Sequence, residues 1–304
     1  MKKMAPIVLL TYRRLDTLKK VVEAIKSNPE SAKSLLIIYS DGPKTAREAD
    51  EVRAVRDYLI GIKGFSSIEI HLSEENLGLA RSVKKAVDET FQRFDRLILL
   101  EDDIICSPDF LDYMNKSLTE YEHDSRIFSV TGYRYPFDLP LGYAHDVFLM
   151  PRSCPWGWAT WRNRWNKIDW STDYYELLER NDYLKKQFVK RNGYDWLQVA
   201  RMRRKGIMDV WSDFWNFTHF KFDAYSLAPV RMKSNHIGYD HFAVNERTGT
   251  RIQEHILPES SPFSLPKNIQ PEQQVLDTVT WYFSGTPLYN IKREIRIFTG
   301  LDFA

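Results

Sequence analysis

The amino-acid sequence predicts an α/β fold, in which a sheet of mainly parallel strands is flanked by helices. Over the first hundred residues, short aliphatic runs alternate with segments whose apolar residues recur at helical spacing. Three of the aliphatic runs end in polar residues that are capable of chemistry. Ligands bind beyond the carboxyl ends of the strands in such sheets, so these ends form the predicted ligand site.

Each element follows from one of two patterns. Runs rich in aliphatic residues are typical of buried strands, and they predict strands at 7–10, 35–39, 68–72, 97–100 and 127–131. Apolar residues spaced three or four apart predict amphipathic helices at 15–25, 52–59, 79–94 and 108–121. After residue 136 the regular alternation fades, and helical stretches are predicted near 159–165, 175–189 and 196–204.

Composition excludes several classes of protein. The chain has 304 residues and 43% hydrophobic content, which is too apolar for a disordered chain. A formal net charge of +2 gives no electrostatic basis for a nucleic-acid partner. Cys106 and Cys154 lack metal-type spacing and are expected to be free thiols in a reducing compartment. The apolar run at 5–10 is too short for a signal peptide, so we expect a cytoplasmic location.

The strongest candidate site is the acidic run Glu101-Asp102-Asp103, which directly follows the aliphatic strand at 97–100. Mg²⁺ and Mn²⁺ bind hard oxygen ligands, usually one or two protein carboxylates together with phosphate oxygens. An acidic triplet can also be an ordinary solvated turn. Its position at the end of a buried strand favours a metal or ligand site.

The first two strands also end in polar groups. Thr11 closes the first strand and is followed by Arg13, which could pair with phosphate, and by Arg14, which we expect on the surface. Asp41 lies at the mouth of the second strand. Its carboxylate could accept hydrogen bonds from a ribose hydroxyl or a base, or it could serve only the turn that Asp-Gly-Pro forms.

The run from Glu75 to Arg81 precedes the third predicted helix. Its Gly78 permits close approach of the backbone, and the N-terminus of a helix favours anions. Asn76 could contact a ligand here or could simply cap the helix.

Eight of the nine tryptophans fall between residues 156 and 215. Most are expected to pack in a core, although an indole face also covers a sugar ring well. Asp213 lies between Trp211 and Trp215, and apolar surroundings would raise its pKa toward the range of a general base. It could instead be a helix N-cap, and Asp209 competes for the role of base.

Four runs of residues together resemble a known family. They are Tyr39-Ser40-Asp41-Gly42-Pro43, 74–80, 99–103 with 107–111, and Trp156-Gly157-Trp158-Ala159-Thr160-Trp161. Their combination resembles the bacterial glycosyltransferases of the GT-A fold, of the family-2 kind, with a distinct similarity to N-acetylglucosaminyltransferase I in the Glu-Asp-Asp segment. The resemblance covers roughly residues 5 to 240, and it implies a Rossmann-like mixed sheet flanked by helices.

The resemblance also implies roles for individual residues. By this resemblance the nucleotide-sugar would contact Arg13, Asp41, Glu101 and Asp102. The polar end of the first strand and the run before the third helix add Thr11, Asn76 and Arg81 as predicted contacts. Asp103 matches the metal-binding aspartate of the DxD motif, which implies a Mn²⁺ or Mg²⁺ cofactor. Asp213 matches the catalytic base, although this chain has Trp-Ser-Asp-Phe-Trp in place of Trp-Asp-Asp-Trp. The family's Thr-His is absent, and His241 is the expected histidine ligand, with His236 and His255 as other imidazoles late in the chain.

These expectations define a single domain with two halves and an extension. Residues 1–132 would bind the nucleotide-sugar, 133–245 would hold the acceptor and the base, and 246–304 would form a C-terminal extension. The expected reaction is metal-dependent, inverting transfer from a UDP-sugar to a hydroxyl of a glycan or lipid-linked glycan, in bacterial surface polysaccharide synthesis.

Two other functions remain open from the residues alone. A sugar nucleotidyltransferase shares the sheet and the metal carboxylate, but it normally has a glycine-rich loop after the first strand, and residues 11–15 contain no glycine. A non-catalytic carbohydrate-binding protein would use the tryptophans alone. The basic tail, with Lys292, Arg293 and Arg296, predicts peripheral contact with an anionic membrane face.

Overall fold

The computed structural model describes residues 4–238 and 259–284. Its ten strands within those ranges are β1 (Ile7–Thr11), β2 (Leu35–Ser40), β3 (Ser67–Leu72), β4 (Arg96–Glu101), β5 (Ile104–Cys106), β6 (Ile127–Thr131), β7 (Val147–Met150), β8 (Trp158–Trp161), β9 (Tyr225–Pro229) and β10 (Ser234–His236). The helices are α1 (Leu15–Lys26), α2 (Ala49–Ile60), α3 (Leu79–Arg93), α4 (Phe110–Glu120), α5 (Arg162–Trp165), α6 (Tyr174–Arg180), α7 (Asp182–Asn192), α8 (Tyr194–Arg204), α9 (Ser212–Lys221) and α10 (Gln273–Ser284).

Eight strands form one mixed sheet in the order β3-β2-β1-β4-β8-β6-β9-β7. Strands β1 to β4 are parallel to one another, whereas β8 runs antiparallel to β4 and β6, and β7 runs antiparallel to β9. Strands β5 and β10 pair separately as a two-stranded antiparallel ribbon. The predicted α/β class with a mixed sheet and flanking helices is confirmed.

The strands at the centre of the sheet are buried on both faces. Ile7 and Leu9 pack into one apolar core with α1 and α4, whereas Val8 and Leu10 pack into a second core with α3 and several tryptophans. Because successive side chains of a strand point to opposite faces, a continuous aliphatic run supplies both cores. The helices have apolar stripes that cover these faces, as the spacing of Leu18, Val22 and Ile25 predicts for α1.

The structure differs from the prediction mainly in the second half of the chain. Residues 159–161, predicted as part of a helix, belong to strand β8, and only Arg162–Trp165 is helical. The single helix predicted at 175–189 is two helices, because the side chain of Asn181 caps α7 by accepting a hydrogen bond from the Leu184 amide. Strands β5, β7, β9 and β10 and helix α9 are too short or too mixed in pattern to be predicted from periodicity.

Residues 259–284 pack back onto the sheet domain. The Tyr121 hydroxyl donates to the carbonyl of Pro266, and α10 lies against β7 and α7. The predicted divisions at residues 132 and 245 stay predictions, although β8 of the second half pairs directly with β4 of the first. Both cysteines are buried free thiols. In the described part of the chain no helix is long and apolar enough to span a bilayer.

Candidate functional site

The carboxyl ends of β1, β2 and β4 meet at one edge of the sheet, as predicted. Thr11 is paired with Ser40 in register, and Leu10 is paired with Glu101. The Tyr12 amide, directly after β1, donates to Oδ2 of Asp102 over 2.9 Å. Because β1, β2 and β4 are parallel neighbours, the polar groups that follow them converge on one crevice, although they come from three separate parts of the sequence.

Asp103 lies in the turn between β4 and β5, and the residue is 8% exposed. Its Oδ2 is hydrogen-bonded to the guanidinium of Arg14 and lies 3.2 Å from Nε2 of His236. Its Oδ1 is buried, and no donor from the described residues reaches it. A buried carboxylate oxygen that accepts no hydrogen bond is costly, which makes it a natural ligand for a cation.

His236 reaches Asp103 because β10 pairs with β5. The register sets His236 opposite Ile104, and the Ile237 amide donates to the Asp103 carbonyl over 2.8 Å. The imidazole stacks on the indole of Trp156 at 5.4 Å between ring centroids. Of the three late histidines, His236 therefore lies beside the acidic run, whereas His241, the predicted ligand, and His255 are outside the described residues.

The acidic run is electrostatically uneven. Burial, together with the neighbouring Asp103 carboxylate, raises the pKa of Glu101 to about 8. Burial also acts to raise the pKa of Asp103, but His236 and Arg14 outweigh it and hold that pKa below its usual value. Of these two carboxyl groups, Asp103 is therefore the one whose surroundings favour the charged form.

The donor set fits a divalent cation that is held by few protein ligands. Within the described ranges, no three His, Cys, Asp or Glu side chains are arranged to hold a metal ion. Mg²⁺ typically keeps only one or two carboxylates and completes its shell with phosphate oxygens and water. Asp103 Oδ1 meets that smaller requirement.

Asp41 lies at the predicted position, but its carboxylate is bound within the protein. Oδ1 accepts the amides of Gly42 and Leu77 at 2.9 and 2.8 Å. Oδ2 accepts the amide of Gly78 at 3.0 Å and the side-chain amide of Asn76 at 3.1 Å. A carboxylate offers about four acceptor positions, so all of them are used.

The two predicted residues on the neighbouring segment also make internal contacts. Besides Asp41, the Asn76 side chain donates to the carbonyl of Gly42 at 2.8 Å, and Gly78 rather than Asn76 is the N-cap of α3. Nε of Arg81 donates to the Leu77 carbonyl at 2.8 Å. This arrangement folds residues 76–81 tightly against the end of β2.

The two arginines after β1 have exchanged the positions that the sequence suggested. Arg13 forms ion pairs with Glu48 and Glu51 at the start of α2. Arg14, expected on the surface, instead binds Asp103. The pattern of residues shows that both arginines follow a strand, but it does not show which one turns toward the acidic run. Thr11 remains a candidate, because its hydroxyl is buried and none of the described residues forms a hydrogen bond with it.

Arg56 was not singled out by the sequence. Its Nη2 donates to the carbonyls of Asp41 at 3.2 Å and Ser73 at 2.6 Å, across the ends of β2 and β3. One guanidinium therefore joins the two loops that flank Asp41. The sequence gives no sign of this contact, because the position of Arg56 in α2 is that of a residue on the solvated face of an amphipathic helix.

Asp213 and Asp209 lie in different surroundings. Asp213 is 1% exposed, and its carboxylate binds the Tyr174 hydroxyl and the Arg203 guanidinium. Burial raises its pKa as predicted, while Arg203 acts in the opposite direction. Asp209 is exposed and accepts the Ala80 amide at the start of α3, at 3.3 Å.

The tryptophan-rich region is mainly a core. Six of the eight indoles between residues 156 and 215 are buried: Trp158, Trp161, Trp165, Trp196, Trp211 and Trp215. Four of them, Trp158, Trp165, Trp211 and Trp215, pack against one another on the α3 side of the sheet. Trp156 and Trp170 are partly exposed, and Trp156 is the one that contacts His236.

The chain is similar in sequence to a known family and to a curated protein. Residues 1–136 match the model of the GNT-I family. Over 200 residues the chain is 24% identical to alpha-1,3-mannosyl-glycoprotein 2-beta-N-acetylglucosaminyltransferase of Arabidopsis thaliana. The aligned residues cover 61% of this chain and 45% of that protein. The predicted similarity to N-acetylglucosaminyltransferase I is confirmed. The chain spans less than half the length of this curated relative.

Two solved structures are also similar. A mannosyltransferase from Pyrobaculum calidifontis in complex with GDP-Man and Mn²⁺ is 11% identical with a TM-score of 0.35, and the match covers 53% of this chain and 45% of that one. TarS of S. aureus is 7% identical with a TM-score of 0.41, and the match covers 76% of this chain and 36% of that one.

Proposed function

We propose that this protein is a glycosyltransferase that moves a sugar from a nucleotide-sugar, for which a UDP-sugar is our first choice, to a hydroxyl of an acceptor. The observation that carries the proposal is the convergence of Thr11, Asp102 and Asp103 at the carboxyl ends of parallel strands, within the segment that matches the GNT-I family. An enzyme of this class needs a crevice for a diphosphate and a fixed carboxylate beside it.

We further propose that Asp103 and His236 hold a Mn²⁺ or Mg²⁺ ion. When bound, such an ion would neutralise the charge that develops on the departing nucleoside diphosphate. Oδ1 of Asp103 accepts no hydrogen bond from the described residues, which supports this assignment. Arg14 holds the other carboxylate oxygen and so keeps the side chain of Asp103 in one orientation. Thr11 and Glu101 remain proposed contacts of the donor.

The proposed chemistry is inverting, with one carboxylate as general base. The base removes the proton of the acceptor hydroxyl, the hydroxyl oxygen bonds to the anomeric carbon, and the bond to the diphosphate oxygen breaks. Asp209 suits this role better than Asp213, the choice that the sequence favoured. Asp209 is exposed beside the start of α3, whereas Asp213 is buried and bound by Tyr174 and Arg203.

The proposed acceptor is a glycan or lipid-linked glycan of a bacterial surface polysaccharide, reached by a cytoplasmic enzyme at the inner membrane face. The contact with the membrane is supported by the basic stretch that contains Lys292, Arg293 and Arg296. This sequence feature lies outside the described residues.

A donor screen tests the proposal. Purified protein is incubated with a panel of UDP- and GDP-sugars, with and without Mn²⁺, and release of the nucleoside diphosphate is measured. We expect metal-dependent release from one donor, and loss of that release in Asp103→Asn but not in Asp50→Asn, which removes a surface carboxylate on α2. Formation of a nucleotide-sugar from a sugar phosphate and a nucleoside triphosphate would instead identify a nucleotidyltransferase. Sugar binding that ignores both nucleotide and metal would identify a lectin.

A further inference from the structure

Two carboxylates from distant parts of the chain meet at the segment of residues 76–80. Asp41, at the end of β2, accepts the backbone amides of Leu77 and Gly78. Asp209, which precedes α9, accepts the amide of Ala80 at the first turn of α3. Amides at the N-terminus of a helix have no partner within the helix, so side chains commonly satisfy them. The backbone amides of one short segment are therefore bound by two carboxylates.

The conformation of this segment depends on Asp41. All four acceptor positions of its carboxylate are bound by protein donors, three of which come from Asn76, Leu77 and Gly78. The residue is only 8% exposed. A carboxylate whose acceptor positions are all used inside the protein has little capacity left to bind a ribose or a base directly. Its main effect is to fix the backbone of the 76–78 segment.

The position of Asp209 depends on the missing side chain of Gly78. Gly78 has a φ of +76°, a conformation that residues with a side chain rarely adopt. A Cβ built at this position would lie 2.4 Å from Oδ2 of Asp209. Such a contact is far inside van der Waals distance. Only glycine lets the carboxylate of Asp209 lie against the start of α3.

We propose that Asp41 and Gly78 are positioning residues for Asp209: Asp41 orders the 76–78 segment, and Gly78 leaves the space that the Asp209 carboxylate occupies. The proposal rests on the proposed function in one respect, namely that Asp209 is the general base. It assigns Asp41 an effect on the transfer step rather than on nucleotide affinity, because a displaced base loses its geometry with the acceptor hydroxyl.

Gly78→Ala tests the steric part, with Gly142→Ala as the matched control. Gly142 has a φ of +79°, so both variants carry a similar backbone strain, but a Cβ at Gly142 meets nothing within 4 Å. We expect Gly78→Ala to lower kcat by about a hundredfold at saturating donor, while the Kd for UDP stays within about threefold of the wild-type value. Gly142→Ala should keep the wild-type kcat. Equal rates in the two variants would overturn the proposal.

Asp41→Asn tests the other part, because the amide keeps the shape of the side chain but turns one acceptor group into a donor that faces backbone amides. We expect faster hydrogen exchange at the amides of Leu77, Gly78 and Ala80, a lower kcat and a nearly unchanged Kd for UDP. A Kd weakened about tenfold or more, with exchange and kcat unchanged, would show that Asp41 contacts the nucleotide directly and would overturn the proposal.

Hydrogen exchange also separates failure of this inference from failure of the proposed function. If the wild-type protein transfers no sugar, the proposed function fails, and exchange at residues 77–80 in Asp41→Asn and Gly78→Ala still reports whether these residues order the segment. Unchanged exchange at Ala80 in both variants would overturn the positioning role itself.

Discussion

The imidazole Nε2 of His236 lies 3.2 Å from Oδ2 of Asp103, although the two residues are far apart in the sequence. This contact and the guanidinium of Arg14 occupy Oδ2, so Oδ1 is the oxygen of Asp103 that accepts no hydrogen bond from the described residues. Trp156 stacks on the imidazole and restricts its orientation, so the pair is largely preorganised.

Replacement of His236 by alanine should weaken Mn²⁺ binding. Loss of a group that orients or completes a metal shell typically reduces affinity by about tenfold to a hundredfold. The measurement is a Mn²⁺ titration followed by electron paramagnetic resonance in the presence of UDP, which requires no turnover. The control is His71→Ala, because His71 is an exposed residue of β3. Wild-type affinity in His236→Ala would exclude His236 from the metal shell.

The proposed base is tested by a pair of asparagine variants. Asp209→Asn should reduce the transfer rate by about 10²–10⁴-fold and leave the stability of the fold nearly unchanged, since Asp209 is exposed. Asp213→Asn should leave the Tyr174 hydroxyl and Arg203 with a weaker partner and destabilise the protein by about 1–3 kcal/mol. Transfer rates per folded molecule and urea unfolding are measured for both. Slow transfer in Asp213→Asn alone would return the role of base to Asp213.

The sheet and its polar edge were predictable because their signals are local. Strands β1, β2 and β4 are short apolar runs followed at once by polar residues, and the rule for parallel sheets then places Thr11, Asp41 and Glu101 together. No such rule determines where the side chains turn after the strands. Whether Arg13 or Arg14 meets Asp103 depends on the exit direction of one residue, which periodicity does not encode.

The contacts that complete the candidate site come from long-range pairing. His236 lies near Asp103 only because β10 pairs with β5, and each of these strands has three residues. Strands this short carry no usable alternation. Similarly, the placement of Asp213 between two tryptophans suggested an apolar pocket, but Tyr174 and Arg203 from α6 and α8 supply it with polar partners. Sequence spacing reveals neighbours along the chain and not those from other helices.

Loss of one partner from the ion pair of Lys233 and Asp109 should destabilise the protein strongly. Nζ of Lys233 binds Oδ2 of Asp109 at 2.5 Å and both the carbonyl and the hydroxyl oxygen of Ser261, at 2.8 and 2.7 Å. Lys233→Met should destabilise the protein by about 3–5 kcal/mol, because it leaves a part-buried carboxylate without its cation. Lys116→Met, which removes an exposed helix pair, should change stability by about 0.5 kcal/mol or less. Equal unfolding midpoints in urea would contradict this expectation.

His219 should make the fold sensitive to acid. The ring is fully buried, its Nδ1 lies 2.8 Å from the Trp215 carbonyl, and its Nε2 lies 3.0 Å from Oγ of Ser129. A carbonyl can only accept, so Nδ1 carries the proton and Nε2 accepts from the serine. Burial lowers the pKa of His219 to about 3.

Below a pH of about 6.5 the unfolded chain therefore binds a proton at His219 that the folded protein does not, and stability falls as the pH drops toward the folded pKa. The slope contributed by this one group approaches about 1.4 kcal/mol per pH unit between those two pKa values. Urea unfolding at several pH values from 7.5 to 5 should show a shallower decline in His219→Gln than in the wild type, whatever the absolute stability of the variant. The surface variant His123→Gln should keep the wild-type slope. The same slope in His219→Gln as in the wild type would mean that His219 is not the group responsible.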